Sequence, residues 1–296
     1  MYEKIESCPV CESDKINNHQ LIQDYSISKE LFNVSICQNC EFLFTNPRPD
    51  QENIGKYYAS KEYISHSNKA RNIIQLIYKI VRYFTLRKKL SLINSLSSKG
   101  TLLDFGCGTG HFLSACKKNG WKITGFEPDS KANVIASKET GIDILNNINP
   151  LKSHEPFSVI TLWHVLEHLH DLNGTMKMLH SLLHKKGSLI IAVPNTKSYD
   201  SIVYNKYWAA WDVPRHLYHF SQTNMRDLAK KHKFQIKKIL PMTFDSFYVS
   251  YLSESYKNEK GIFFNKYVKC LINGYKSNNK ANKTTQYSSL IYILTK

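Results

Sequence analysis

No run of 18 apolar residues occurs anywhere in the 296-residue chain, so no segment qualifies as a membrane-spanning helix. The opening, MYEKIESCPVCES, lacks the charged-then-apolar pattern of a secretory leader, and the cytoplasm is the expected compartment. A disulfide framework is not expected either. The seven cysteines, at 8, 11, 37, 40, 107, 116 and 270, are odd in number and include two CxxC pairs, which suits reduced, metal-binding thiols. Acidic residues are scarce: 24 Asp and Glu face 40 Lys and Arg, a formal charge of +16. That field concentrates anionic partners such as RNA, phosphorylated sugars, anionic lipid or carrier proteins without choosing among them. Internal repeats are also missing.

What is present is enough apolar content, 42 %, to bury a core, and length for one full α/β domain with a smaller appendage. Residues 1 to 66 read as a small metal-stapled module and linker, with turn-rich spacers and few long apolar runs. Residues 67 to 99 read as an amphipathic basic helix. Ile73, Ile77, Ile80 and Phe84 fall on one side and Arg71, Gln75, Lys79 and Arg82 on the other, with no acid between Lys69 and Lys99. From Gly100 to the end, short apolar runs alternate with helical stretches, the pattern of βαβ units around a parallel sheet. Strands are expected at Thr101–Phe105, Lys122–Phe126, Phe157–Leu162, Ser188–Val193, Gln235–Leu240 and Ser288–Leu294, and a weaker one at Ile142–Leu145. The stretch 244–286 breaks the alternation and reads as an insertion before the last strand.

In LLDFGCGTGHF a strand delivers Asp104, and Gly106, Gly108 and Gly110 allow a tight turn with close backbone approach to a ligand. A dinucleotide fingerprint needs its third glycine at position 111, which is His111, whereas Asp-x-Gly-x-Gly-x-Gly fits without forcing. S-adenosylmethionine carries a cationic ammonium and sulfonium, and a carboxylate beside the loop suits both. Glu127 closes the second strand about 20 residues on, where a carboxylate can bind ribose hydroxyls.

The segments LLDFGCGTGHFL, GFEPDS, LWHVLEHLHD and AVPN resemble the successive motifs of class I methyltransferases from Gly100 to Leu240. The resemblance implies an α/β, Rossmann-like sheet of seven strands whose last strand is antiparallel. It also implies S-adenosylmethionine contacts from Asp104, Gly106, Gly108, Gly110, Glu127, Trp163 and His164. The sequence departs from the pattern at NNINP, which has no acidic residue for the adenine amine and offers Asn146 or Asn147 instead.

Methyl transfer requires an aligned nucleophile and often a base, and histidine suits the proton step near neutral pH. Two histidine clusters follow strands of the sheet: His164-x-x-Glu167-His168, and His216-x-x-His219 in WDVPRHLYHFS. His216, His168 and His219 are the candidate catalytic residues. The first cluster resembles the Glu-x-x-Glu-His segment of ubiquinone-biosynthesis O-methyltransferases, which is associated with a divalent metal. Here His164 replaces the first glutamate, and magnesium prefers oxygen ligands. For His168, orienting the following loop stands beside catalysis; for the second cluster, leading into a helix capped by Ser221 or Thr223 stands beside lining the acceptor pocket.

Cys8, Cys11, Cys37 and Cys40 match a Cys₄ ribbon with four thiolates for a structural zinc. The following CEFLFTNPRPDQENIGKYYASKEY resembles the ribbon-to-linker segment of bacterial zinc-ribbon methyltransferases, some of which modify nucleotide-linked sugars. By that likeness Tyr57, Tyr58 and Tyr63 are placed to fold over the cofactor or acceptor. The leading expectation is methyl transfer to oxygen of a small-molecule or sugar-like acceptor, with an anionic one favoured by charge. The alternative is an RNA methyltransferase using the ribbon and basic surface, and a non-catalytic binding protein comes third. Against RNA, LWHVLEH lacks the Asn/Asp-Pro-Pro-aromatic signature of enzymes that methylate base amines.

Overall fold

An apolar run such as LIIAVP (189–194) needs cover on both faces, which a central strand obtains in a sheet flanked by helices. A computed structural model describes residues 1–58, 73–257 and 263–296, with the side chains of 73–80 and 263–265 also outside the described set. The N-terminal module holds β1 (Tyr2–Glu3), β2 (Ile16–Gln23), β3 (Leu31–Cys37), β4 (Leu43–Thr45) and β5 (Arg48–Pro49). After it come α1 (Ile73–Leu96), β6 (Thr101–Phe105), α2 (His111–Lys118), β7 (Lys122–Phe126), α3 (Ser130–Thr140), β8 (Phe157–Trp163), α4 (Leu172–Leu182) and β9 (Leu183–Pro194). The chain continues through α5 (Tyr199–Tyr204), β10 (Tyr218–His219), α6 (Gln222–Lys231), β11 (Gln235–Pro241), α7 (Asp245–Lys257), α8 (Phe263–Thr284) and β12 (Ser289–Thr295).

The main sheet runs in the order β11-β12-β9-β8-β6-β7. β12 is antiparallel to both its neighbours, whereas β6 through β9 are parallel. A seventh lane outside β7 is held by a single parallel bridge between Phe126 and Leu145. From β6 the chain goes to β7 on one side and then crosses back to β8 on the other, a switch in strand order that opens a crevice at the carboxyl ends. Helices are started by local chemistry: Asp129 caps α3, Asp171 caps α4, and Ser221 with Asn224 forms a capping box on α6. The insertion is the helix pair α7 and α8. No helix among the described residues is long and apolar enough to cross a membrane.

The inward stripe of α1 is Leu86, Leu90, Ile93 and Leu96, all packed in the core around Leu102 and Leu113. Phe84, expected on that stripe, is 50 % exposed and meets Tyr83 edge-on, because the core-facing row starts two residues later. Arg71 and Tyr63 lie outside the described residues, as do the side chains of Ile73, Gln75, Ile77, Lys79 and Ile80.

The ribbon module shares its core with the larger sheet. Its strands order as β10-β4-β3-β2, so a strand from position 218 completes a sheet built mostly from the first 45 residues. Cys8, Val10, Cys37, Phe42 and Phe44 pack in one apolar cluster with Leu103, Ile160, Leu217 and Phe220.

Candidate active site

At the end of β6, Asp104 is buried and accepts a 2.6 Å hydrogen bond from the Thr161 hydroxyl. Burial pushes its carboxyl up to about 6. The glycine turn that follows is needed sterically. Gly110 has φ +78°, and a Cβ there would stand 2.9 Å from the Ala136 backbone, so the turn can lie on α3 only without a side chain. Gly108, at φ +55°, faces open space on the crevice side, with nothing within 4 Å of where a Cβ would be. Glu127 closes the loop: its Oε2 accepts from the Gly108 N–H at 2.8 Å and its Oε1 from the Asp129 N–H at 3.0 Å. Burial raises its pKa. Trp163 ends β8 edge-on to Phe112 and keeps a buried indole N–H with no hydrogen-bond partner among the described residues. Open backbone at Gly108, two carboxylates and an unused indole donor fit a cationic nucleoside cofactor.

His164 follows at φ +57° with its imidazole between two carboxylates, Glu167 Oε1 at 3.2 Å and Asp245 Oδ2 at 3.0 Å. Burial opposes its charge, but Asp245 and Glu167 outweigh burial and raise it to about 10. Asp245 begins α7, so this imidazolium ties the insertion to the end of β8. Asn146 and Asn147 are exposed just past the Leu145 bridge, with Asn147 donating to Asn146.

The acceptor side is built from two segments that meet. His216 Nδ1 stands 2.8 Å from the Ala210 carbonyl, which can only accept, so Nδ1 carries a proton and Nε2 of the neutral ring keeps its lone pair. His168 repeats the arrangement, with Nδ1 2.9 Å from the Arg215 carbonyl and 3.0 Å from the Tyr58 hydroxyl. Burial, reinforced by His216, lowers His168 to about 4. The two rings meet edge to face at 4.7 Å. Glu167 is fully buried; Oε1 binds His164, and Oε2 has no partner among the described residues. Burial works against its charge, yet the His164 hydrogen bond and charge hold the carboxyl below its usual value. One oxygen of Glu167 and one ring nitrogen each of His168 and His216 lie within 4.8 Å of one another. Such a set can pass a proton, and its donor types would also suit a divalent transition ion.

His219 is placed elsewhere. It lies on β10, buried edge-on against Trp211, with Nε2 3.2 Å from the Thr45 hydroxyl. Burial pulls its pKa well below the ordinary value, and its contacts are those of a core histidine between ribbon and crevice. Tyr57 is buried in the ribbon module and donates to Glu30 at 2.7 Å, and among the described residues Tyr58 reaches the cluster.

Several contributors are invisible to motif reading. Arg215 is buried and holds Asp24 of the β2–β3 turn at 2.9 Å and Asp212 at 2.7 Å. Asp24 also caps its own turn through the N–H groups of Ser26, Ile27 and Ser28. The ribbon therefore braces the segment that carries His216. Asp24 and Asp245 belong to no periodicity, and only an RH pair beside two tryptophans hinted that Arg215 needed partners.

In the ribbon, Cys8 and Cys40 lie 3.5 Å apart, as do Cys11 and Cys37, and all four sulfurs fall within 4.8 Å of one another. Four thiolates at zinc–sulfur lengths of about 2.3 Å stand roughly 3.8 Å apart in a tetrahedron, so the cage is already near the size a zinc ion needs.

Comparison with known proteins bears on family and fold. A family model described as a methyltransferase domain matches residues 77–239. Among curated proteins, a ubiquinone biosynthesis O-methyltransferase of Pelagibacter ubique is 26 % identical, over 56 % of this chain and 72 % of its own length. Magnesium protoporphyrin IX methyltransferase from Synechocystis, solved with S-adenosylhomocysteine, superposes with TM-score 0.54 at 13 % identity, covering 83 % of this chain and 99 % of that one. A methyltransferase from Archaeoglobus fulgidus gives TM-score 0.50 at 17 % identity, covering 76 % and 100 %.

Proposed function

The chain belongs to the class I S-adenosylmethionine-dependent methyltransferases, and from that premise we propose that it methylates an oxygen of a small-molecule or sugar-like acceptor, with His216 as the base. The observation that carries this reading is the orientation of His216, whose Nδ1 is fixed by the Ala210 carbonyl and whose Nε2 lies 3.9 Å from the Asp212 carboxylate, in a ring that gathers with Glu167 and His168.

Asp104, the Gly106–Gly110 turn, Glu127, Trp163 and His164 line the cofactor half. Bound there, S-adenosylmethionine supplies an electrophilic methyl group. The chain's own residues do the rest. His216 Nε2 accepts the acceptor's proton, and the Glu167 carboxylate stabilises the imidazolium so formed. Glu167 keeps that charge available because His164 holds one of its oxygens and leaves the other free. His168, held neutral by burial, presents a second acceptor atom and positions the acceptor. The name of the Pelagibacter relative supports oxygen as the atom methylated, and the +16 charge favours an anionic acceptor. For the ribbon we propose one structural zinc on Cys8, Cys11, Cys37 and Cys40.

Incubating the enzyme with methyl-labelled cofactor and host extract, then identifying the labelled product by mass spectrometry, tests the acceptor. A labelled ether or ester of a small molecule is expected, and label in RNA bases would overturn the reading. His216→Ala should lower turnover about 10²- to 10⁴-fold, the usual worth of a positioned base, with unchanged cofactor affinity. Normal turnover would remove His216 from that role.

A further inference from the structure

Lys89 projects from α1 into the cofactor crevice. Its ammonium lies 4.2 Å from the centre of the Trp163 ring and 6.0 Å from that of Phe112. Among the described residues it donates no hydrogen bond and forms no ion pair, so the aromatic face is what holds the charge. Lysines on surfaces find water; this one is half-buried, and burial lowers it to about 8 although Asp104 and Asp245 pull the other way. α1 cannot swing it out freely, since Leu86, Leu90 and Ile93 anchor the same turns in the core.

Its neighbours identify the ligand chemistry. Asp104, Phe112 and Trp163 all flank the glycine turn, and a cationic side chain there would repel a sulfonium or an ammonium but attract a carboxylate. The methionyl end of the cofactor carries an ammonium and a carboxylate on one carbon. Asp104 and Lys89 supply the opposite pair of charges from two different elements. We propose that Lys89 Nζ binds the α-carboxylate of S-adenosylmethionine while Asp104 takes the ammonium, so that α1 is a wall of the cofactor site. This rests on the cofactor reading of the crevice. It gives the basic helix a specific ligand contact, and it accounts for an ammonium that stands over Trp163 within the field of Asp104 and Asp245.

Calorimetry on the full chain tests it with two probes: S-adenosylhomocysteine, and its decarboxylated analogue, which keeps the ammonium and lacks the carboxylate. The wild type should bind the analogue about 10- to 100-fold more weakly, the worth of one charge-assisted hydrogen bond. Lys89→Met should weaken S-adenosylhomocysteine by the same factor and the analogue by no more than about twofold, and Lys89→Arg should restore most of the loss. Equal loss for both probes would make Lys89 a prop for Trp163 and overturn the proposal. Unchanged S-adenosylhomocysteine affinity with a raised acceptor KM would assign the lysine to a carboxylate on the acceptor and overturn it as well. The two wild-type titrations need no folded variant, and equal wild-type affinities would also refute it. If the wild type bound neither probe, the underlying cofactor reading would fail too, an outcome distinct from loss of discrimination.

Discussion

Glu127 spends both carboxylate oxygens on backbone N–H groups, Gly108 at 2.8 Å and Asp129 at 3.0 Å, so it shapes the glycine turn in addition to the ribose contact proposed for it. Glu127→Ala should therefore weaken S-adenosylhomocysteine about 10- to 100-fold in a calorimetric titration without unfolding the chain, and unchanged affinity would exclude the ribose role. His164 makes a different expectation, one of pH. Its folded value, about 10, lies above the unfolded 6.5, so its contribution to stability is fully present below about 6.5 and is lost as pH rises through about 10. Melting temperatures followed from pH 6 to 10 should fall more steeply in the wild type than in His164→Gln; parallel curves would show that the imidazolium is not held by Asp245 and Glu167. The sequence made Asp104, the three glycines and Glu127 legible because each answers a backbone or charge requirement of a single strand-turn-helix unit. Asp245 and Lys89 were illegible, since their roles come from helices that approach the crevice from distant positions. His216 and His219 both stand as candidate bases in WDVPRHLYHFS, His216 the first of them; the strand pairing of Tyr218–His219 with β4 sets one near Glu167 and the other against Trp211.

At the scale of elements, fully buried parallel strands announced themselves. β6 and β7 run over the expected Thr101–Phe105 and Lys122–Phe126, because apolar runs bounded by glycine and charge leave little choice of ends. β9 begins five residues earlier than expected, at Leu183, where His184, Lys185 and Lys186 are exposed and carry no apolar signal. β10 was not foreseen: two residues have no period, and their partner β4 lies more than 170 positions away. That short pairing, with the Asp24–Arg215–Asp212 cluster, is how the ribbon holds the His216 segment. Asp24 and Arg215 are both essentially removed from solvent, so removing Asp24 leaves the buried guanidinium with Asp212 as its one remaining carboxylate among the described residues. Asp24→Ala should cost about 3–5 kcal/mol in chemical denaturation. Because the same change loosens the segment after Asp212, kcat should fall while affinity for S-adenosylhomocysteine stays near normal. A stability loss under about 1 kcal/mol would mean that neither the ion pair nor the turn caps of Asp24 hold this segment.

Over the whole molecule, the division into ribbon, basic helix and catalytic region describes the sequence, but the interior runs through it. Cys8, Val10, Cys37, Phe42 and Phe44 are buried in the cluster that also holds Leu103, Ile160 and Phe220. Polar ties cross the same boundary: Asn224 donates to the Cys40 carbonyl at 2.8 Å, and Asn173 and Lys231 both donate to the Pro9 carbonyl at 3.0 Å. Both CxxC knuckles are thus seated on α4 and α6, next to the segments that carry the histidines. Shared burial of this kind makes the module and the sheet one cooperative unit, since neither face can be exposed without cost to the other. A structural zinc that binds the folded cage and not the unfolded chain should then stabilise the entire protein. About one zinc per chain is expected by elemental analysis. Stripping it with a thiol-reactive agent plus chelator, or replacing Cys8 by Ser, should lower the single melting transition by several degrees and reduce methyl transfer with it. Two separate transitions, with the cofactor-binding one unmoved by zinc loss, would show that the ribbon folds apart from the catalytic sheet and would detach it from the site.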